Sequence, residues 1–137
     1  MAECKNIMVY VETAEGNPVK VGLEMLSPAK KLADKVTAVV IGGGVADAAK
    51  EVAKAGADQV ICVDSEDYKE FNLDAYAQVL VELVKEENPE AVFVGGTQDG
   101  KDIAPVVAAK CNTGCASDVL DIKAEDGEVI YTCPLYG

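Results

Sequence analysis

The sequence contains no histidine and no tryptophan, and only 5% of its residues are aromatic. Without histidine, the commonest general base and the commonest metal ligand are both missing. Basic residues are also scarce: 12 Lys and Arg stand against 24 Asp and Glu, a formal charge of −12. A chain so acidic has no basic stripe to displace counterions from a phosphate backbone, which argues against nucleic acid and against anionic membrane surfaces. Its apolar runs are too short to span a bilayer, so no membrane insertion is expected. The five cysteines, Cys4, Cys62, Cys111, Cys115 and Cys133, are odd in number and irregular in spacing. Residues 1–5 have no apolar core of a signal peptide. A reducing, cytoplasmic setting is therefore expected. Cys111 and Cys115 are four apart and could meet on a helix, but with no histidine or further cysteine pair they read as small buried hydrophobes, not a zinc site.

What is present is an apolar half of the composition dominated by Ala and Val, in 137 residues, enough for one domain with a real core, spanning 1–137. Asn6 to Val11, Thr37 to Ile41, Gln59 to Val63 and Ala91 to Val94 read as strands. Helical spacing runs from Val21 to Val36 with Leu23, Leu26, Ala29, Leu32 and Ala33 on one face. Pro28 within it either kinks the helix or opens a second one capped by Ser27. Ala46 to Ala55 is a short helix with Gly56 after it. Leu73 to Glu87 is the longest helix, capped by Asn72 and ended at Asn88-Pro89, with Leu73, Tyr76, Ala77, Leu80, Leu83 and Val84 inward. This alternation predicts a three-layer α/β fold, Rossmann-like or adenine-nucleotide-hydrolase-like, with a mostly parallel sheet and helices on both faces. Ser117 to Ala124 and Glu128 to Cys133, around Glu125-Asp126-Gly127, read as a C-terminal β-hairpin at a sheet edge.

The organising stretch is Glu90 to Cys111. A strand runs into Gly95-Gly96, and a polar turn opens a helix whose start Pro105 marks, with Asp99 or Asp102 expected as its cap. Ligands and partners gather at strand carboxyl ends in such sheets. Gly96, Thr97, Gly100, Lys101 and Asp102 are thus the candidate partner- or ligand-contact residues. Glu12, Asp64 and Asp118 also lie near strand ends, but no nucleophile–base couple can be assembled from the sequence. Gly42-Gly43-Gly44 stands where a dinucleotide fingerprint would, yet Asp47 replaces its third glycine and would repel a pyrophosphate. Gly95, Gly100 and Lys101 keep a phosphate-loop interval, but Asp102 takes the Ser/Thr place.

These segments resemble the N-terminal domain of the electron-transfer flavoprotein alpha subunit. The resemblance rests on Val9-Tyr10-Val11-Glu12, Leu23-Glu24-Met25-Leu26 with Ala29 to Ala33, and Gly56-Ala57-Asp58-Gln59-Val60. Its most specific stretch, Gly96 to Pro105, looks like the family's G-T-x-x-G-[RK]-D-x-A-P block, and Thr113 to Asp118 resembles the T-G-x-x-[ST]-D segment after it. The family implies a heterodimer with a beta subunit that carries electrons from flavin dehydrogenases, such as acyl-CoA dehydrogenases, to a downstream acceptor. It implies FAD held mainly by a separate C-terminal domain, with this domain as scaffold and subunit interface and no catalytic residue or cofactor of its own. The ending at Gly137 then reads as that of a piece of a longer chain. Cys133 stands before Pro134 where the family commonly has arginine, so no arginine role carries over to that junction. A stand-alone module binding AMP or ATP is the alternative reading.

Overall fold

A computed structural model of the chain describes residues 4–89, 91–95, 97–111, 116–118 and 130–134. Strand β1 (Cys4–Tyr10) lies in the middle of the sheet. A two-residue hairpin, β2 (Thr13–Ala14) and β3 (Asn17–Pro18), follows it, turning through Glu15 and Gly16 at φ of 54° and 81°. Positive φ at both central positions is the type I′ geometry that matches strand twist. Helices α1 (Lys20–Glu24) and α2 (Leu26–Leu32) lead to β4 (Ala33–Gly42), and α3 (Ala46–Lys54) leads to β5 (Gln59–Asp64). After a 3-10 turn at Glu66–Tyr68 come α4 (Leu73–Glu87), β6 (Ala91–Gly95) and α5 (Gln98–Lys110). Strands β7 (Ala116–Asp118) and β8 (Ile130–Pro134) complete the described elements.

The six-stranded sheet has the order β5-β4-β1-β6-β8-β7. The first four strands are parallel, and β8 runs antiparallel to both β6 and β7. The three-layer, mostly parallel α/β fold is thus as expected, with the antiparallel pair at one edge. The turn proposed at Glu125-Asp126-Gly127 lies outside the described residues.

Alternation along the central strands sorts the core into two layers. Ile7 and Val9 of β1, Val36, Ala38 and Val40 of β4, and Phe93 of β6 face α2 and α3. Met8, Tyr10, Val39, Ile41, Val92 and Val94 face α4 and α5. Both layers are dry: β6 is buried over all five residues. That explains its unbroken apolar run.

Three local expectations need correction. The helical stretch does not run to Val36: it breaks at Met25, and β4 begins at Ala33, four residues before Thr37. Ala33 is buried, but on a strand that pairs Cys4↔Ala33 through Ile7↔Val36. The gain of parallel pairing there overrides the helical spacing. Ser27 is not a cap: α2 starts from Met25 without a side-chain cap, and Pro28 sits within its first turn, where no N–H is needed. Pro105, placed at a helix start by its chemistry, lies inside α5 instead. Its exposed position leaves the ring in water and lets solvent take the backbone bond that proline removes.

The Gly56-to-Val60 segment has a structural role. The Asp58 carboxylate accepts the Val36 N–H at 2.8 Å and the Lys30 ammonium at 2.7 Å, joining α2, β4 and the turn into β5. The lysine, then the backbone N–H, hold this carboxyl below its ordinary value near 3.8. The stabilisation is present above pH 4 and is lost as the pH falls through the lowered folded value. Asp58→Asn is expected to cost about 1 kcal/mol at pH 7, since a third of the side chain remains exposed. Urea midpoints of the two proteins should converge as the pH falls below about 4; a gap that stays constant through that fall would contradict this account.

Candidate functional site

The connections from β1 and β6, adjacent parallel strands, diverge. One runs through α1 and α2 to β4, the other into α5, packed in the opposite layer. Such a divergence opens a crevice at the carboxyl ends, where this class of sheet takes its ligands. Here the crevice is stitched by the chain itself. Thr97 is the N-cap of α5: its hydroxyl accepts the Gly100 N–H at 3.0 Å and donates to the Glu12 carboxylate just beyond β1. The cap is therefore Thr97, not Asp99 or Asp102. A hydroxyl can accept from the helix and donate to Glu12 at once, whereas an ionised carboxylate only accepts. Asp99 sits instead in the first turn, where the helix dipole favours its charge.

Gly100 is buried directly against β6. A Cβ there would stand 1.9 Å from the Gly95 carbonyl oxygen. So Thr97 and Gly100 serve the junction of strand and helix. Lys101 and Asp102 are exposed on α5. Gly96 lies outside the described residues.

The glycine turn after β4 is also occupied from within. The Gly44 N–H donates to the Asp64 carboxylate at 2.7 Å, and the Ser65 N–H donates to the Gly42 carbonyl at 2.9 Å. A Cβ on Gly43 would meet Lys69 Cα at 3.1 Å and the Ser65 carbonyl at 3.2 Å. Its smallness admits the close approach of the 65–69 loop. Among the described residues, a carboxylate stands at each of these strand ends: Asp64 accepts the Gly44 N–H, and Glu12 accepts the Thr97 hydroxyl at the start of α5. A flavin pyrophosphate needs free amide donors and a positive field in such places, so it does not fit here.

Between these two points lies a cavity of about 400 Å³, lined among others by Tyr10, Glu12, Ile41, Phe71, Tyr76 and Asp99. Tyr76 donates to the Tyr68 carbonyl at 2.5 Å and meets the Phe71 ring edge-on, with centroids 4.9 Å apart. Burial, then Asp99, raises the Tyr76 hydroxyl above its ordinary value. Tyr10 is pushed far up by burial, with Glu12, Tyr76 and Asp99 adding to it. Sequence reasoning placed Glu12 at a strand end but missed Tyr10, Phe71 and Asp99 as neighbours. The only available signal was that Tyr10 and Tyr76 interrupt otherwise aliphatic faces.

Neither described thiol is activated. Burial, then Asp64, pushes Cys62 up, and burial likewise pushes Cys111 up. Cys111 packs half-buried against the α4 and α5 layer, as a small hydrophobe does; Cys115 lies outside the described residues. No helix among the described residues is long and apolar enough to cross a membrane.

The parallel sheet, the divergent β1 and β6 and the capped G-T-Q-D-G-K-D turn define a Rossmann-like α/β domain. Residues 7–137 match the electron transfer flavoprotein domain family, and the chain belongs to it. The chain is 37% identical to the electron transfer flavoprotein subunit alpha of Clostridium acetobutylicum, over 99% of its own length and 42% of that protein's. It is 37% identical to Protein FixB of Clostridium saccharobutylicum, over 100% and 42% of the two lengths. It is 38% identical to the acryloyl-CoA reductase electron transfer subunit beta of Anaerotignum propionicum, over 83% and 32%. The chain thus spans about two-fifths of the length of the first two of these relatives.

Proposed function

We propose that this chain is the scaffold and subunit-interface domain of an electron-transfer flavoprotein alpha subunit. In this reading it is an electron-carrier part, not an enzyme. The full protein takes electrons from flavin dehydrogenases, acyl-CoA dehydrogenases among them, and passes them to a downstream acceptor in the cytoplasm. FAD is held by a part of the subunit other than this domain, and the beta subunit docks on it. One observation carries the reading: at the strand ends where a nucleotide-binding fold takes phosphates, Asp64 accepts the Gly44 N–H and Glu12 accepts the Thr97 hydroxyl, so a phosphate would face two carboxylates. The relatives' names support the electron-transfer role, and the acryloyl-CoA reductase subunit supports a redox partner that acts on acyl-CoA. The alternative, a module for AMP or ATP, draws no support from this geometry, because a phosphate would face carboxylates. A nucleotide at a hundredfold its Kd would add about 2.7 kcal/mol of stability.

Lys101 and Asp102, exposed on α5, are proposed as partner contacts; Thr97 and Gly100 hold that turn in place. Lys101→Glu is expected to weaken association with the beta subunit about tenfold, mostly through a slower on-rate at low salt. The flavin content of the full-length subunit should not change. Surface plasmon resonance at two salt concentrations, with flavin absorbance on the same samples, tests this. Unchanged association would remove α5 from the interface. Loss of flavin with association intact would make the turn part of a cofactor site and overturn the scaffold reading.

A further inference from the structure

We infer that the Glu24 carboxylate on α1 is one half of an intersubunit ion pair and takes an arginine side chain from the beta subunit. The inference rests on the reading that a beta subunit docks on this domain, and it names one contact of that docking. Both Glu24 carboxylate oxygens are buried and neither has a hydrogen-bond partner; among the described residues no other buried side-chain oxygen or nitrogen is left so. Lys20, one turn back, holds its ammonium 3.6 Å from Oε1, too far for a hydrogen bond. A carboxylate removed from water without donors is costly, and buried carboxylates are therefore found paired. The Glu24 side chain as a whole keeps 18% of its surface exposed, so the group lies just under the surface and not in the core. Gly22 and Met25 are the residues of this segment that turn inward.

The donor that fits is a guanidinium. Both oxygens lack a donor together, and the planar fork of arginine serves two carboxylate oxygens at once, whereas an ammonium acts as a point charge. The chain cannot supply that group itself, because all 12 of its basic residues are lysines. Its net charge of −12 draws a basic partner surface. The position suits the docking already proposed. Helix α1 is entered from the same strand ends as α5: the Val19 N–H donates to the Glu12 carbonyl at 2.9 Å, while the Glu12 carboxylate takes the Thr97 hydroxyl. Both helices pack on β6, one in each layer, so a partner seated at that end meets Lys101 and Glu24 alike. The Lys20 side chain is 66% exposed, and solvent screens it from the incoming charge.

Surface plasmon resonance of the full chain against the beta subunit compares wild type with Glu24→Gln, which keeps the shape and removes the charge. The variant is expected to associate at least about tenfold more weakly, through faster dissociation, in contrast to the on-rate effect at Lys101. In the free chain the same change should leave the urea midpoint unchanged or raise it, since it removes a buried charge that no donor meets. Phenylglyoxal, which modifies guanidinium groups, gives a direct reading by mass spectrometry. One arginine of the beta subunit should be protected in the wild-type complex and reactive in the Glu24→Gln complex. A lowered midpoint in the free variant, or no arginine whose reactivity differs, overturns the inference. Equal binding by the two chains also overturns it and leaves the docking reading standing, whereas a wild-type chain that does not bind the beta subunit overturns both.

Discussion

Gly100→Ala is expected to lower the unfolding free energy by about 3 kcal/mol, at the upper end of what overpacking costs. The added methyl would stand 1.9 Å from the Gly95 carbonyl oxygen and 3.1 Å from the Thr97 hydroxyl oxygen. The first obstacle is backbone in a fully buried strand, so no rotamer change relieves it. Helix α5 must move off β6, and it carries Ile103, Ala104 and Val107 with it out of their layer. The shift also disturbs the Thr97 cap, a bond of about 1 kcal/mol. Gly22→Ala is the control. Its nearest obstacle is a side-chain methyl, Val11 Cγ1 at 2.8 Å, and alanine offsets part of that contact by favouring helix α1. The net change there should be about 1 kcal/mol or less. Urea unfolding of both variants checks the pair. Had Gly100 been kept small for a ligand's approach, Gly100→Ala would leave stability nearly intact and remove binding instead. A measured loss under 1 kcal/mol would refute the packing explanation.

Amphipathic helices and dry strands were legible because their periods are local. Helix α4 runs from Leu73 to Glu87 with Asn72 accepting the Ala75 N–H, as its spacing and cap residue foretold. The apolar run of β6 likewise announced a strand covered on both faces. What the sequence hid depends on partners far along the chain. Ala33, Asp34 and Lys35 have no strand pattern, and they extend β4 because residues 4–6 of β1 offer a ladder beside them. Pro105 misled because its usual place in a helix is a statistical rule, while an exposed mid-helix site only asks water to take one bond.

The site divides in the same way. The G-T-Q-D-G-K-D stretch could be located at a strand end, but not sorted into cap, close approach and exposed charge. That division depends on where Gly95 and Glu12 sit. The occupied glycine turn could not be read at all: Gly44 and Asp64 are twenty residues apart and meet only because β4 and β5 are parallel neighbours. Asp47 gave a sequence-level reason to doubt a dinucleotide. The stronger reason is Asp64, which takes the amide itself. The cavity gathers Tyr10, Ile41, Phe71 and Asp99 from four separate segments. No spacing rule links them.

Phe93→Ala should be the most damaging of the core truncations, with a loss of about 4 kcal/mol. Phe93 is the largest of the fully buried side chains among the described residues, and it sits on the strand that joins the parallel half of the sheet to β8. Its ring faces the α2 and α3 layer, beside Val9 and Ala91. Most of its neighbours there are small aliphatic groups on strands held by ladders at both edges, so they cannot close over the void. The cost therefore combines lost transfer energy with a cavity that stays open. Phe93→Leu refills most of that space and should lose only about 1 kcal/mol. Phe71→Ala removes an equal ring from a half-buried loop position and should lose much less, because water can enter where it leaves. Denaturant unfolding of the three variants orders them. A Phe71 loss as large as that of Phe93 would mean that the loop over the cavity, not the centre of the sheet, sets the stability of the domain.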